Sequence, residues 1–151
     1  MAYHRAMRTA SRSWTATDVA LLVLRLGLAL VVWPHGAQKA LGWFHGPGLA
    51  AIGPALNTHY GVPIPLAYLV VTVEFLAPIA LVLGVLTRLA ALGVFVDMGM
   101  AAILAHSRNG FFMNFGGHQA GEGVEYFLYA CTIALALVIA GPGRFALLPK
   151  T

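Results

Sequence analysis

Four long apolar runs, separated by connections rich in glycine, proline and aromatic residues, set the pattern of the chain. They cover about residues 18–37, 64–83, 88–105 and 122–140. Each approaches the roughly 20 residues a helix needs to cross a bilayer, so the pattern predicts four membrane spans. Thr17 or Asp18 is placed to cap the first span. Pro63 and Pro65 lead into the second, Gly84 stops it, and Gly141-Pro142-Gly143 ends the fourth. The second and third runs are joined only by GVLTR, which predicts an antiparallel hairpin.

The connection from Leu41 to Pro63 is long. Its stretch GLAAIGPALNTHY predicts a short helix lying at the membrane interface, with Trp43, Phe44 and Tyr60 as aromatic-belt residues. The connection HSRNGFFMNFGGHQAG before the fourth run is also aromatic. Phe111, Phe112, Met113, Asn114 and Phe115 read as an interfacial or re-entrant anchor, or more sharply as a loop lining a quinone site.

Composition turns these runs into a fold class. Of the 151 residues, 60% are hydrophobic and only 9% charged, and the mean hydropathy is +0.81. Soluble domains carry about 25% charged residues. The expected architecture is all-α: an integral membrane four-helix bundle with a long, partly helical interfacial loop between the first and second spans. Residues 1–17 read as a basic cytoplasmic tail and 18–151 as a single transmembrane domain. The first run is too long for a signal-peptide h-region and has no A-x-A-like cleavage site behind it, so it reads as a retained span.

The net charge of +4 does not form a basic patch, which argues against nucleic acid as a partner. Counting Lys and Arg in tails and loops puts both termini in the cytoplasm. The single cysteine, Cys131, lies in an apolar run and excludes an internal disulfide. HxxxH, HExxH and CxxCH patterns are absent. His118 and Glu122 have i, i+4 spacing, but Gly121 and Gly123 weaken a helix there, so no metal site is assigned.

Candidate chemistry lies in the ionisable residues of the apolar runs. A charge at that depth costs roughly 2.5–3.5 kcal/mol or more, so it needs a partner and is a functional candidate by default. Arg25, Val32, Gly36 and Lys39 share one helical face, beside an expected break at Pro34-His35-Gly36. Glu74 lies near the middle of the second run and Asp97 near the middle of the third. Glu122 and Tyr126 share a face of the fourth, with Glu125 beside them.

Counting depth at 1.5 Å per residue puts Arg25 roughly 10 Å from one boundary and Glu74 roughly 15 Å from the other. Arg25–Glu74 is therefore the first-choice ion pair, with Asp97 as the alternative partner. Lys39 is expected to meet Glu122 or Glu125 in a shallower cluster. His35 falls on the same side as Lys39. This polar line has two readings: salt bridges that fix helix register, or a pocket that binds a quinone headgroup or relays protons.

The order of these features resembles the DoxX family of small bacterial and archaeal membrane proteins. That family includes the DoxD-type subunit of thiosulfate:quinone oxidoreductase. The resemblance runs through LRLGLALVVWPHGAQKALGWFHGPG, VEFLAPIALVLGVLTRLAAL and GEGVEYFLYACTIALALVIAGPGRFAL. It implies a four-helix membrane bundle associated with respiratory or redox chemistry in a plasma (inner) membrane, and it matches at Arg25, Lys39, Glu74 and Glu125. The expected function is a membrane subunit of a quinone-linked oxidoreductase, with Glu74 and Arg25 as catalytic candidates. Lys39, His35, Asp97, Glu122, Glu125 and Tyr126 are the ligand-binding candidates. No flavin, iron–sulfur or haem motif is visible, so partner redox subunits would carry the electrons, or the chain would form a homo-oligomer. A structural or assembly subunit without catalysis is the alternative.

Overall fold

A computed structural model describes residues 14–148 of the chain; the basic tail expected at 1–17 lies outside the described residues up to Ser13. Five helices form: α1 (Ala16–Leu41), α2 (Gly48–Tyr60), α3 (Ile64–Leu83), α4 (Thr87–Ala101) and α5 (Glu125–Ala140). No strand occurs among the described residues. α4 continues through a π turn at Ala102–His106 and a 3-10 turn at Ser107–Asn109. α1, α3 and α4 with its extension are long and apolar enough to cross a membrane, and α5 is a shorter apolar helix.

The helix ends follow local chemistry. Thr15, two or three residues earlier than expected, caps α1. Its hydroxyl accepts from the Asp18 amide, and the Asp18 carboxylate returns the bond to the Thr15 amide at 2.8 Å. α2 spans the GLAAIGPALNTHY stretch. The fourth span starts at Glu125 rather than Glu122, because residues 110–124 form a loop whose strands of chain hydrogen-bond across Gly110, Phe112 and Val124.

Pro34 does not break α1, which runs on to Leu41. The proline removes one backbone donor from the helix ladder. In that loosened turn the Tyr126 hydroxyl approaches the Val31 carbonyl at 3.4 Å.

α1, α3, α4 and α5 alternate in direction, which gives the bundle two ends. At one end Arg25 and Asp18 of α1 meet the segment after α5, and Arg88 at the start of α4 donates to the Val138 and Ile139 carbonyls of α5. At the other end lie α2, the 110–124 loop and Lys39. The core between the helices is built from Leu28, Val32, Leu81, Ala91, Val94, Ala134 and Leu137, all fully buried. The outward faces are just as apolar: Leu30 is 76% exposed and Ile139 69%. Such a surface is stable only in lipid, where apolar side chains need no burial against protein.

α1 and α3 approach closely at Gly36. A Cβ there would overlap the backbone of Glu74 and Phe75, so only glycine fits. Trp33 brackets the contact, packing on Phe75 with ring centroids 5.9 Å apart and on Trp43 at 5.8 Å.

Candidate functional site

The Gly36 contact positions the site. Gly36 lies flat against the Glu74 backbone, and Lys39 is one turn further along the same face of α1. The Lys39 ammonium is thereby carried to the Glu74 carboxylate, and the two form an ion pair through Glu74 Oε1. Glu74 is 3% exposed at its side chain and Lys39 24%. The second oxygen, Glu74 Oε2, is buried with no hydrogen-bond partner.

Asp97 reaches the same place from α4. Its carboxyl interacts electrostatically with both Glu74 and Lys39 and lies within hydrogen-bonding reach of the Glu74 carboxyl, and its Oδ2 is buried with no other partner. His35, next to Gly36, feels the charges of Glu74 and Lys39. Tyr126, the second residue of α5, feels those of Glu74 and Asp97 and lies against His35 with centroids 6.1 Å apart. Four helices thus contribute to one polar cluster of two carboxyls, one ammonium, an imidazole and a phenol.

A cavity of about 730 Å³ opens beside the cluster, between α3 and α4. Its walls are aliphatic, including Leu69, Val73, Leu76, Leu89 and Val96. Glu74, Asp97 and Lys39 supply its polar patch, with His106 further along α4. Leu56 and Tyr60 of α2 reach its rim. The arrangement suits an amphipathic molecule with an apolar tail and a compact head able to exchange hydrogen bonds or protons.

The other expected site residues lie elsewhere. Arg25 does not pair with Glu74 or Asp97. It is fully buried at the opposite end, where Nη1 donates to the Pro142 carbonyl at 2.9 Å and Nη2 to the Phe145 carbonyl at 2.5 Å. Gly36, not Arg25, is level with Glu74, and the eleven residues between them span roughly 16 Å of helix. That distance is beyond the reach of an arginine side chain.

Lys39 in turn meets neither Glu122 nor Glu125. Glu122 lies in the loop and accepts from the Asn114 amide at 2.6 Å, while Glu125 accepts from the Met113 amide at 3.2 Å. Both carboxylates brace the 110–124 loop. The loop also rests on α4 through His106, whose ring contacts the Glu122 carbonyl at 2.9 Å and stacks on Phe127 at 4.3 Å. Phe112 and Phe115 on this loop are exposed, and neither lines the cavity.

Depth counting failed because it set the ends of α1 and α3 at one level. α1 ends five residues past Gly36, whereas α3 begins ten residues before Glu74. The offset is roughly 7 Å, and the 42–47 turn and α2 fill it. The aliphatic walls of the cavity were not foreseen either. They look like any lipid-facing residues in sequence, and only the placement of α3 beside α4 gathers them around one volume. The Gly36–Lys39 spacing was the one signal that could have pointed to the Lys39–Glu74 pair. Among the described residues, no group of three His, Cys, Asp or Glu is placed to hold a metal ion.

Antiparallel apolar helices, lipid-facing surfaces and a buried polar cluster define a multi-pass α-helical membrane protein. The DoxX family model matches residues 20–107, from the first turns of α1 to the end of the third long helix. The chain belongs to the DoxX family. No curated protein and no solved structure matches it.

Proposed function

We propose that the chain is a membrane subunit of a quinone-linked respiratory oxidoreductase, and that the cavity between α3 and α4 receives the quinone. One observation carries this reading. The aliphatic cavity meets two buried carboxyls, and Glu74 Oε2 and Asp97 Oδ2 have no protein partner beyond each other. A buried carboxyl that lacks donors is costly, by about 1–3 kcal/mol, and a ligand headgroup able to exchange hydrogen bonds there lowers the cost. A quinone bound there supplies two-electron redox chemistry in which each electron is matched by a proton at a carbonyl oxygen.

The chain's own groups then have distinct tasks. The aliphatic walls of α3 and α4 hold the tail and exclude water. Glu74 and Asp97 hold or release a proton at the headgroup. Lys39 balances the carboxylate charge and fixes the Glu74 rotamer. Electrons come from a redox centre on a partner subunit. Arg25, which the sequence alone places among the catalytic candidates, is outside this site and locks the opposite end of the bundle.

The count of basic residues orients the Lys39 end away from the cytoplasm. In this reading the chain sits in the plasma membrane of a bacterial or archaeal cell with both termini on the cytoplasmic side.

The test uses the full chain in lipid nanodiscs with a decyl-chain benzoquinone, read by quenching of Trp33, which neighbours the Gly36 contact. Wild-type protein is expected to bind saturably. Glu74→Gln and Asp97→Asn are each expected to lose at least tenfold in affinity while keeping the wild-type helical spectrum. In native membranes, Glu74→Gln is expected to abolish quinone reduction at normal expression. Wild-type binding and turnover in both variants would sink the proposal.

A further inference from the structure

The polar side chains on the cavity wall are Lys39, Tyr60, Thr72, Glu74, Asp97 and His106, and most of their donors are already engaged. The Thr72 hydroxyl donates to the Tyr68 carbonyl at 2.8 Å, within α3. His106 sets Nδ1 against the Glu122 carbonyl at 2.9 Å. Only an N–H suits that contact, so Nε2 of the neutral ring is an acceptor. The Lys39 ammonium is held on Glu74 Oε1. Tyr60 lies out on the rim, 45% exposed.

The acceptors are in the opposite state. Glu74 and Asp97 are both more than nine-tenths buried, and Glu74 Oε2 and Asp97 Oδ2 have no protein partner beyond each other. Each carboxyl oxygen accepts at two lone pairs. A proton shared between the two carboxyls meets one of these positions and leaves others open, so the shortage of donors holds with or without it. A quinone and its reduced form differ in the same respect. The quinone carbonyls only accept, whereas each hydroxyl of the quinol both donates and accepts. Against the carboxyls a quinone sets oxygen on oxygen, and its nearest donors are the remaining N–H groups of Lys39. A quinol hydroxyl donates to the carboxyl pair and still accepts from Lys39.

We propose that the cavity is selective for the reduced headgroup, and that it holds a quinol at least tenfold more tightly than the matching quinone through hydroxyl donation to Glu74 and Asp97. This selectivity rests on the quinone reading of the cavity and names the redox form that the site retains. Hydrogen bonds to an ionised acceptor are the strong class, and one such bond is enough for a tenfold preference. Tenfold tighter hold on the two-electron-reduced form raises the potential of the bound couple by about 30 mV, which favours reduction in the site by the partner's redox centre.

The test compares three ligands with one ring and one chain: decyl-benzoquinone, decyl-benzoquinol and the dimethyl ether of that quinol, which keeps the shape and loses both donors. The full chain is held in nanodiscs under argon, with empty nanodiscs as the reference for partition into lipid. Decyl-benzoquinone is titrated directly by Trp33 quenching, and the other two are titrated by its displacement. The quinol is expected to bind at least tenfold more tightly than the quinone, and the dimethyl ether at least tenfold more weakly than the quinol. In Asp97→Asn, whose amide offers a donor as well as an acceptor, the quinol preference is expected to fall below threefold. A wild-type preference below tenfold would overturn the selectivity and leave the quinone reading standing. A dimethyl ether as tight as the quinol would also overturn it, by assigning the preference to apolar contact. So would a wild-type preference retained in Asp97→Asn. Absence of saturable binding by all three ligands would overturn the selectivity and the proposed function together. The wild-type ligand series decides the matter whether or not the variant folds.

Discussion

Replacing Arg25 by methionine tests whether the deepest cation of the bundle is a clamp or a catalytic group. The guanidinium holds the segment after α5 by two bonds, to the Pro142 and Phe145 carbonyls. That segment then turns back to close α3, with the Leu147 and Leu148 amides donating to the Leu83 and Gly84 carbonyls at 3.0 and 3.2 Å. Gly84 makes room for this. It has φ +67, and a Cβ there would collide with Arg25 and Ala146.

A hydrogen bond to a charged donor contributes about 1.5–3 kcal/mol, so the two together contribute about 3–6. Methionine also removes the buried Arg25 Nε, which has no partner, and this returns about 1–3 kcal/mol. Taken at the midpoints, about 4.5 against about 2, the net loss is about 2.5 kcal/mol, a roughly 70-fold increase in the open population of the segment. Hydrogen exchange followed by mass spectrometry in nanodiscs reads it directly. Amides of residues 141–148 are expected to exchange faster by that factor, while those of α3 around Glu74 keep the wild-type rate. Unchanged exchange in 141–148 would refute the clamp. Loss of quinone binding with unchanged exchange would return Arg25 to the site.

Two further outcomes follow from the same contacts. Gly36→Ala forces a methyl group into the Glu74 backbone, which cannot rotate away. It is expected to cost about 1–3 kcal/mol by overpacking and to weaken quinone binding by separating Lys39 from Glu74, as measured by thermal denaturation and tryptophan quenching. Glu122→Gln keeps an acceptor for the Asn114 amide in an exposed loop. It is expected to change stability by about 0.5 kcal/mol or less and to leave quinone binding at the wild-type level; a large loss of binding would place Glu122 in the site after all.

Much of this protein was legible from sequence because lipid imposes simple rules. Long apolar runs must be helices, since no water is present to satisfy a bare backbone. The runs at 64–83 and 88–105, the short helix at 48–60 and the glycine stops emerged close to where the pattern put them. Helical periodicity also put Gly36 and Lys39 on one face, and the position of Glu74 and Asp97 inside apolar runs marked them as charges that need an explanation.

Partner choice was decided by the tertiary structure. Arg25 and Lys39 are both cations on that same face of α1, and Glu74 could pair with either as far as spacing goes. The choice depends on the axial offset between α1 and α3, and that offset is fixed by backbone contact at Gly36, where the absence of a side chain lets the two helices touch. Periodicity describes angles around one helix and says nothing of the slide of one helix along another. The cavity has the same origin. Its walls are ordinary aliphatic residues, and only the placement of α3 against α4 gathers them around one volume beside the two carboxyls.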